Sequence, residues 1–135
     1  MKAYLSGLML LFVVSCSSTK DITVRPSRMT NFIAGNTYEL KKPVYVWAGQ
    51  LGALHGKLPG DSEGILEVGT RITIQKIEFF RGPMTGNVTD VFGEVRSGKM
   101  EGKLVNVTWI SKQDLKTGYT KCDPEMLVPV VGPSK

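Results

Sequence analysis

From Thr37 onward the apolar residues come in short alternating stretches, broken every few positions by Gly or Pro, with no sustained 3.6-residue period. A helix must present a continuous apolar stripe, whereas a strand shows its side chains to opposite faces in turn. The pattern therefore predicts an all-β fold. Tyr38 and Leu40 alternate with polar neighbours, and Pro43 leads into Val44-Tyr45-Val46-Trp47. Apolar residues at successive positions there predict a strand covered on both faces.

Ile72 and Ile74 share one parity while Ile77 and Phe79 share the other. A regular strand would turn half of this set towards water, so an extra residue near Gln75-Lys76, a β-bulge or bend, is expected to restore the facing. Residues 88–110 read as a hairpin: Val91 and Val95 flank Gly93, a polar turn covers 97–102, and Val105, Val107 and Trp109 then alternate. This assigns Val105, Val107 and Trp109 inward and Asn106 and Thr108 outward. Asp123-Pro124-Glu125 reads as a turn before a last strand over 127–131, placed at a sheet edge because Pro129 has no N–H to donate.

Five or six short strands around a tight central hairpin predict a small barrel. The tract GILEVGTRITI at 64–74, with GEV at 93–95 and GKLVNV at 102–107, resembles a Src-homology-3-like barrel of the kind found in bacterial envelope proteins. An oligonucleotide/oligosaccharide-binding-like barrel or a small open sandwich fits the same strand pattern. The resemblance implies that cell-wall peptide or glycan is a ligand class open to the domain.

The chain has 135 residues, 41% apolar and 21% charged, enough for one folded domain with a true core. Its formal charge of +5 divides by region: residues 37–135 carry 13 basic and 11 acidic side chains, a net of only +2. No dense Lys/Arg stripe with interleaved aromatics is present, so no nucleic-acid partner is expected.

The N-terminus has a different grammar. Met1-Lys2 precedes an uncharged apolar run over 3–14, bounded by Ser15 and Cys16. About twelve residues cannot cross a hydrocarbon core that needs about twenty, and the layout is that of an export signal. Val13-Val14-Ser15-Cys16 resembles the lipobox of bacterial lipoproteins, although Val stands where Leu is usual and the n-region has a single Lys. The resemblance implies cleavage between Ser15 and Cys16, a diacylglycerol thioether on Cys16 and often an acylated amine. Two or more acyl chains make attachment durable without a spanning helix. An ordinary secretory signal, releasing a soluble protein, is the alternative. Ser17, where Asp commonly retains lipoproteins at the inner membrane, points to the outer membrane and its periplasmic face; in a single-membrane cell the site would be the cell membrane. The expected organisation is a signal peptide (1–15), a lipidated Cys and flexible tether (16–36), and a β-barrel domain (37–135). A tether of that length spans about 25 Å; Lys20, Arg25 and Arg28 on it read first as solvated linker charges and alternatively as contacts to lipid phosphates, and residues 30–34 can add a short element to the domain.

The search for chemistry returns little. With Cys16 acylated, Cys122 has no partner in the chain and reads as an inert small side chain near a turn. His55 is the single histidine, too few ligands for a metal site, and its order relative to Cys122 is the reverse of that in lipoprotein cell-wall peptidases. Asp61, Glu63 and Glu67 read as a solvated turn, and the Gly-Lys pairs at 56–57, 98–99 and 102–103 lack the rest of a phosphate-binding loop. No catalytic residue, metal or cofactor is assigned. Trp47, Trp109, Phe79, Phe80 and Phe92 are expected mainly in the core, an exposed aromatic recognition surface being the alternative, with one of the adjacent Phe79-Phe80 pair turned outward unless the bend buries both. The expected function is a noncatalytic, lipid-anchored interaction module with an envelope-protein or peptidoglycan partner. Its candidate contacts are Phe80, and His55 and Lys57 in the Gly-rich loop over 49–64. The alternatives are an inhibitor or immunity lipoprotein against a hydrolase, or a cell-wall enzyme.

Overall fold

A computed structural model describes residues 18–23, 29–54, 60–82 and 86–130. Among these the fold is nearly all-β, as the alternation predicts, with strands joined by turns and loops in a sheet curled into a half-barrel. The strands are β1 (Ser18–Asp21), β2 (Thr37–Leu40), β3 (Val44–Trp47), β4 (Gln50–Ala53), β5 (Gly64–Leu66), β6 (Arg71–Gly82), β7 (Gly86–Val95), β8 (Leu104–Asn106), β9 (Lys112–Asp114), β10 (Tyr119–Lys121) and β11 (Leu127–Pro129). That is more than the five or six expected, because several are only three or four residues long.

Nine strands make one sheet in the order β11, β2, β6, β7, β8, β4, β3, β5, with β1 also on β6; β9 and β10 form a separate ribbon. Long β6 organises the whole. One of its edges pairs with β7 throughout, and the other is shared, Arg71 to Thr73 taking β2 and Glu78 to Arg81 taking β1. The register against β7 slips between Ile74 and Lys76, so Gln75 is the extra residue that the parity change requires. Ile72, Ile74 and Ile77 consequently all face the core, each at most 2% exposed. The predicted edge position of β11 also holds: it pairs with β2 alone among the described strands, Pro129 lying opposite Tyr38.

The interior is aliphatic, built from Val44 and Val46 of β3, Leu51 of β4, Val91 and Val95 of β7 and the β6 isoleucines. Phe32 and Tyr38 supply its aromatic part, ring edge to face at 5.1 Å. The aromatic residues expected there are elsewhere. Val44 and Val46 take the inner face of β3, so Tyr45 is half-buried and Trp47 is exposed, and the strand is not covered on both sides. Phe79, Phe80 and Phe92 are half-buried.

The 88–110 hairpin forms, β7 pairing antiparallel with β8, but its alternation stops two residues early. Val107 leaves the strand with φ −93° and ψ 4° and opens a 3-10 turn over Thr108–Ile110. Three residues per turn replace the period of two. Trp109 therefore points to solvent at 64% exposure, while Asn106 and Thr108, expected outward, are buried at 7% and 2%. Both buried polar side chains are satisfied: Asn106 Oδ1 accepts the Thr108 N–H at 2.9 Å, and Thr108 Oγ1 accepts the Val91 N–H at 3.0 Å.

Elements packed on the domain are found well before Thr37 among the described residues. Phe32 is 3% exposed, Thr30 bridges to Thr120, and Ser18–Asp21 is a sheet strand, so the described part of the expected tether is packed on the domain. Sequence reading took the polar composition of 17–36 for freedom. Strand pairing at a sheet edge needs backbone groups only, which that composition does not remove. Arg25 and Arg28 lie outside the described residues.

Candidate functional site

On β7 the odd positions Thr89, Val91, Gly93 and Val95 are buried, which turns Val88, Asp90 and Phe92 to the outer face. Phe80 lies opposite Val88 on β6, and Asn106 opposite Phe92 on β8. These residues floor a cleft of about 610 Å3, within the size range of ligand pockets.

Three connections wall it. Leu104 and the 3-10 turn bring Trp109 to one rim, and the β9–β10 ribbon brings Gln113 and Leu115 to another. The ribbon is fastened to β7 by two threonines. Thr89 Oγ1 donates to the Gly118 carbonyl and Thr120 Oγ1 to the Thr89 carbonyl, both at 2.6 Å. Gln113 Nε2 donates to the Thr108 carbonyl at 2.8 Å, tying ribbon to turn. The third wall is the two-residue β3–β4 turn, Ala48-Gly49, with φ of 50° and 76°. Two successive positive φ values suit a tight hairpin, yet they place a non-glycine residue in the left-handed region. Glu63 braces this turn. Its Oε2 accepts the Gly49 N–H at 2.9 Å and its Oε1 meets Lys103 Nζ at 2.5 Å. Those bonds, Lys103 first, hold the Glu63 carboxyl below its ordinary value. The Gly49 carbonyl in turn accepts the Asn106 N–H at 2.8 Å.

Asp90 is the titratable side chain of the lining, and Asn106 Nδ2 donates to its Oδ1 at 3.3 Å. Beside it on the same face Lys76 pairs with Glu78 at 2.9 Å and stands 5.8 Å from the Phe92 ring centroid. The Glu78 carboxylate raises the Lys76 ammonium above its ordinary value. The cleft thus offers aromatic and aliphatic walls around one carboxylate and a few amide and hydroxyl groups. Such a lining can bury an apolar body and fix its orientation by hydrogen bonds.

Large apolar side chains crowd the rim, with Leu104, Trp109 and Leu115 exposed at 52%, 64% and 60%. Scattered exposed hydrophobes need no explanation, but a cluster rimming one concavity marks an interaction surface.

Of the residues singled out in the sequence, Phe80, Phe92 and Trp109 line this cleft. His55, Lys57, Ser15 and Cys16 lie outside the described residues. Cys122 packs elsewhere: its N–H donates to Asn31 Oδ1 at 2.8 Å and its thiol to the Leu127 carbonyl at 3.4 Å. Burial pushes that thiol up to about 11. Of the acidic turn, Glu63 is engaged by Gly49 and Lys103, and among the described residues no three His, Cys, Asp or Glu side chains converge.

Sequence reading missed Asp90, Leu104, Gln113 and Leu115. One signal was available. Val88 and Phe92 share a parity opposite to Val91 and Val95, so β7 is apolar on both faces, and its outer face needed a cover or a ligand. Comparison of the chain with protein families, with curated proteins and with solved structures finds no match.

Proposed function

We propose that this chain is a noncatalytic interaction module of the bacterial envelope, lipid-anchored through Cys16 at the periplasmic face of the outer membrane, whose cleft binds an apolar segment of an envelope protein. The observation that carries the binding reading is the convergence of Leu104, Trp109 and Leu115 on one concavity floored by Phe80, Val88 and Phe92. Aromatic anchors in a partly desolvated pocket are the usual source of binding energy at protein interfaces. The anchor reading is supported by the apolar run over 3–14 and the residues Val13-Val14-Ser15-Cys16. We read the half-barrel as a variant of the Src-homology-3-like or oligonucleotide/oligosaccharide-binding-like small barrel, a reading supported by the bent β6–β7 hairpin and the short strands beyond it.

Peptidoglycan is the second reading, favoured by Asp90, Asn106 and Gln113 beside Trp109, a set able to hydrogen-bond hydroxyls and amides while the indole covers a sugar or peptide face. A hydrolase blocked by the cleft would be one form of protein partner.

The test is photocrosslinking in intact cells from an unnatural residue at 109 or 104, with 68 as control, since Val68 is 59% exposed but does not line the cleft. A protein adduct at 109 and 104 but not at 68 is expected, whereas muropeptide adducts would favour the second reading. Equal adducts at all three positions would remove the cleft from consideration. For the anchor, Cys16→Ser should abolish fatty-acid labelling and leave the precursor uncleaved; undiminished labelling rejects it.

A further inference from the structure

We infer that the domain lies directly against the membrane, with the Arg81 end of β6 and the β9–β10 turn on phospholipid headgroups. This rests on acylation of Cys16 as proposed above, and adds which face of the domain meets the bilayer.

The first observation is where β1 holds the chain. Ser18 pairs with Arg81 and Thr19 with Phe80, at the far end of β6. The strand is clasped further along by the Ile22 N–H on the Ile77 carbonyl at 2.9 Å and the Ile77 N–H on Thr23 Oγ1 at 3.0 Å. Cys16 precedes Ser18 by two residues in the sequence, a covalent reach of at most about 7 Å, so a lipid carried on Cys16 would be tied close to the Ser18–Arg81 pair.

The second is what shares that end. The Asn87 N–H donates to the Leu115 carbonyl and Asn87 Nδ2 to the Lys116 carbonyl, each at 3.4 Å, which sets the β9–β10 turn beside the start of β7, where Asn87 pairs with Arg81. Its chemistry suits a headgroup layer. Leu115 projects at 60% exposure, Lys116 follows it in the turn, and Arg81, paired with Asn87, and Lys20 on β1 are exposed as well. Asp114 is the acidic neighbour, its carboxylate already accepting the Lys116 N–H at 2.9 Å, and Asp21 accepts from Thr23 at the inner end of β1. Lys20, Arg81 and Lys116 against Asp21 and Asp114 leave this end with a net positive charge that complements phosphates, while an exposed aliphatic chain enters the interface.

The opposite end is set apart from this one. Val68, in the turn before β6, is separated from Arg81 by the length of that strand, about 30 Å. The Phe80–Val88–Leu115 end of the cleft would then lie nearest the lipid.

The experiment uses the mature acylated protein in vesicles of phosphatidylethanolamine and phosphatidylglycerol that carry a headgroup-linked quencher. A fluorophore is placed at Leu115→Cys or Val68→Cys in a Cys122→Ser background. Several-fold stronger quenching at 115 than at 68 is expected, and it should fall when Arg81→Glu and Lys116→Glu are combined. Equal quenching at 115 and 68 in protein whose mass confirms acylation overturns the inferred contact and leaves the anchor standing. Absence of acyl mass at Cys16 overturns the anchor and this contact together.

Discussion

Individual residues carry the sharpest expectations. A Cβ built on Gly93 would stand 2.5 Å from Ile72 Cγ2 and 3.1 Å from the Thr73 carbonyl. Gly93→Ala should therefore destabilise by about 1–3 kcal/mol, read as a lower denaturation midpoint with unchanged m-value. Ala48, at φ 50° ahead of Gly49, bears the left-handed strain that Asn tolerates. Ala48→Asn should raise stability by about 1 kcal/mol, since Asn-Gly is the favoured pair for this turn. Cys122 tests burial. Its thiol ionises near 11 when folded against 9.0 ordinarily, so the folded state holds its proton more tightly and stability contributed by the neutral thiol is lost as pH rises from about 9 to about 11. Alkylation at neutral pH should be much slower for the folded chain than for the denatured one. Matching rates would show that the thiol is open to solvent.

At the scale of elements, what could be read from sequence depended on how local its cause was. The bulge at Gln75 was legible because Ile72, Ile74 and Ile77 record the parity change along a single strand. The 3-10 turn was not. Val105, Val107 and Trp109 continue the alternation perfectly, and it is the bonds of Thr108 to the Val91 N–H, to Asn106 and to Gln113 that make a break in the strand favourable. The β9–β10 ribbon was equally hidden, a polar stretch docked through Thr89 and Thr120. Thr120→Val removes one of those bonds and leaves the Thr89 carbonyl without that donor, at a cost of about 1–3 kcal/mol. Amide exchange should then speed up across 112–121 before the rest of the sheet responds. Uniform loss of protection would mean that the ribbon and the sheet open as one unit.

For the molecule as a whole, stability and binding should separate. The aliphatic core lies on the inner face of the curled sheet, whereas the cleft lies on the outer face with its rim in solvent. Trp109→Ala, at 64% exposure, should leave the thermal midpoint within about a degree or two while weakening partner capture by tenfold or more, the signature of an interface anchor. A large drop in midpoint without loss of capture would assign Trp109 to the fold instead. The candidate site was only partly legible at this scale. Phe80 was singled out because neighbours on a strand point oppositely, while Asp90, Leu104 and Leu115 were not, because their convergence needs β7, β8 and the ribbon in place.

Sequence by itself determined the all-β class, the bulge, the edge position of β11 and the aliphatic identity of much of the inner face. Each follows from side-chain periodicity or from proline's missing donor, both properties of a few consecutive residues. The tertiary structure alone decided that Ser18–Asp21 joins β6, that Leu115 comes to Asn87 and that outward side chains gather into a cleft. Those outcomes come from pairing residues tens of positions apart through backbone hydrogen bonds. Such bonds are nearly blind to side-chain type, so they leave almost no trace in the order of the amino acids.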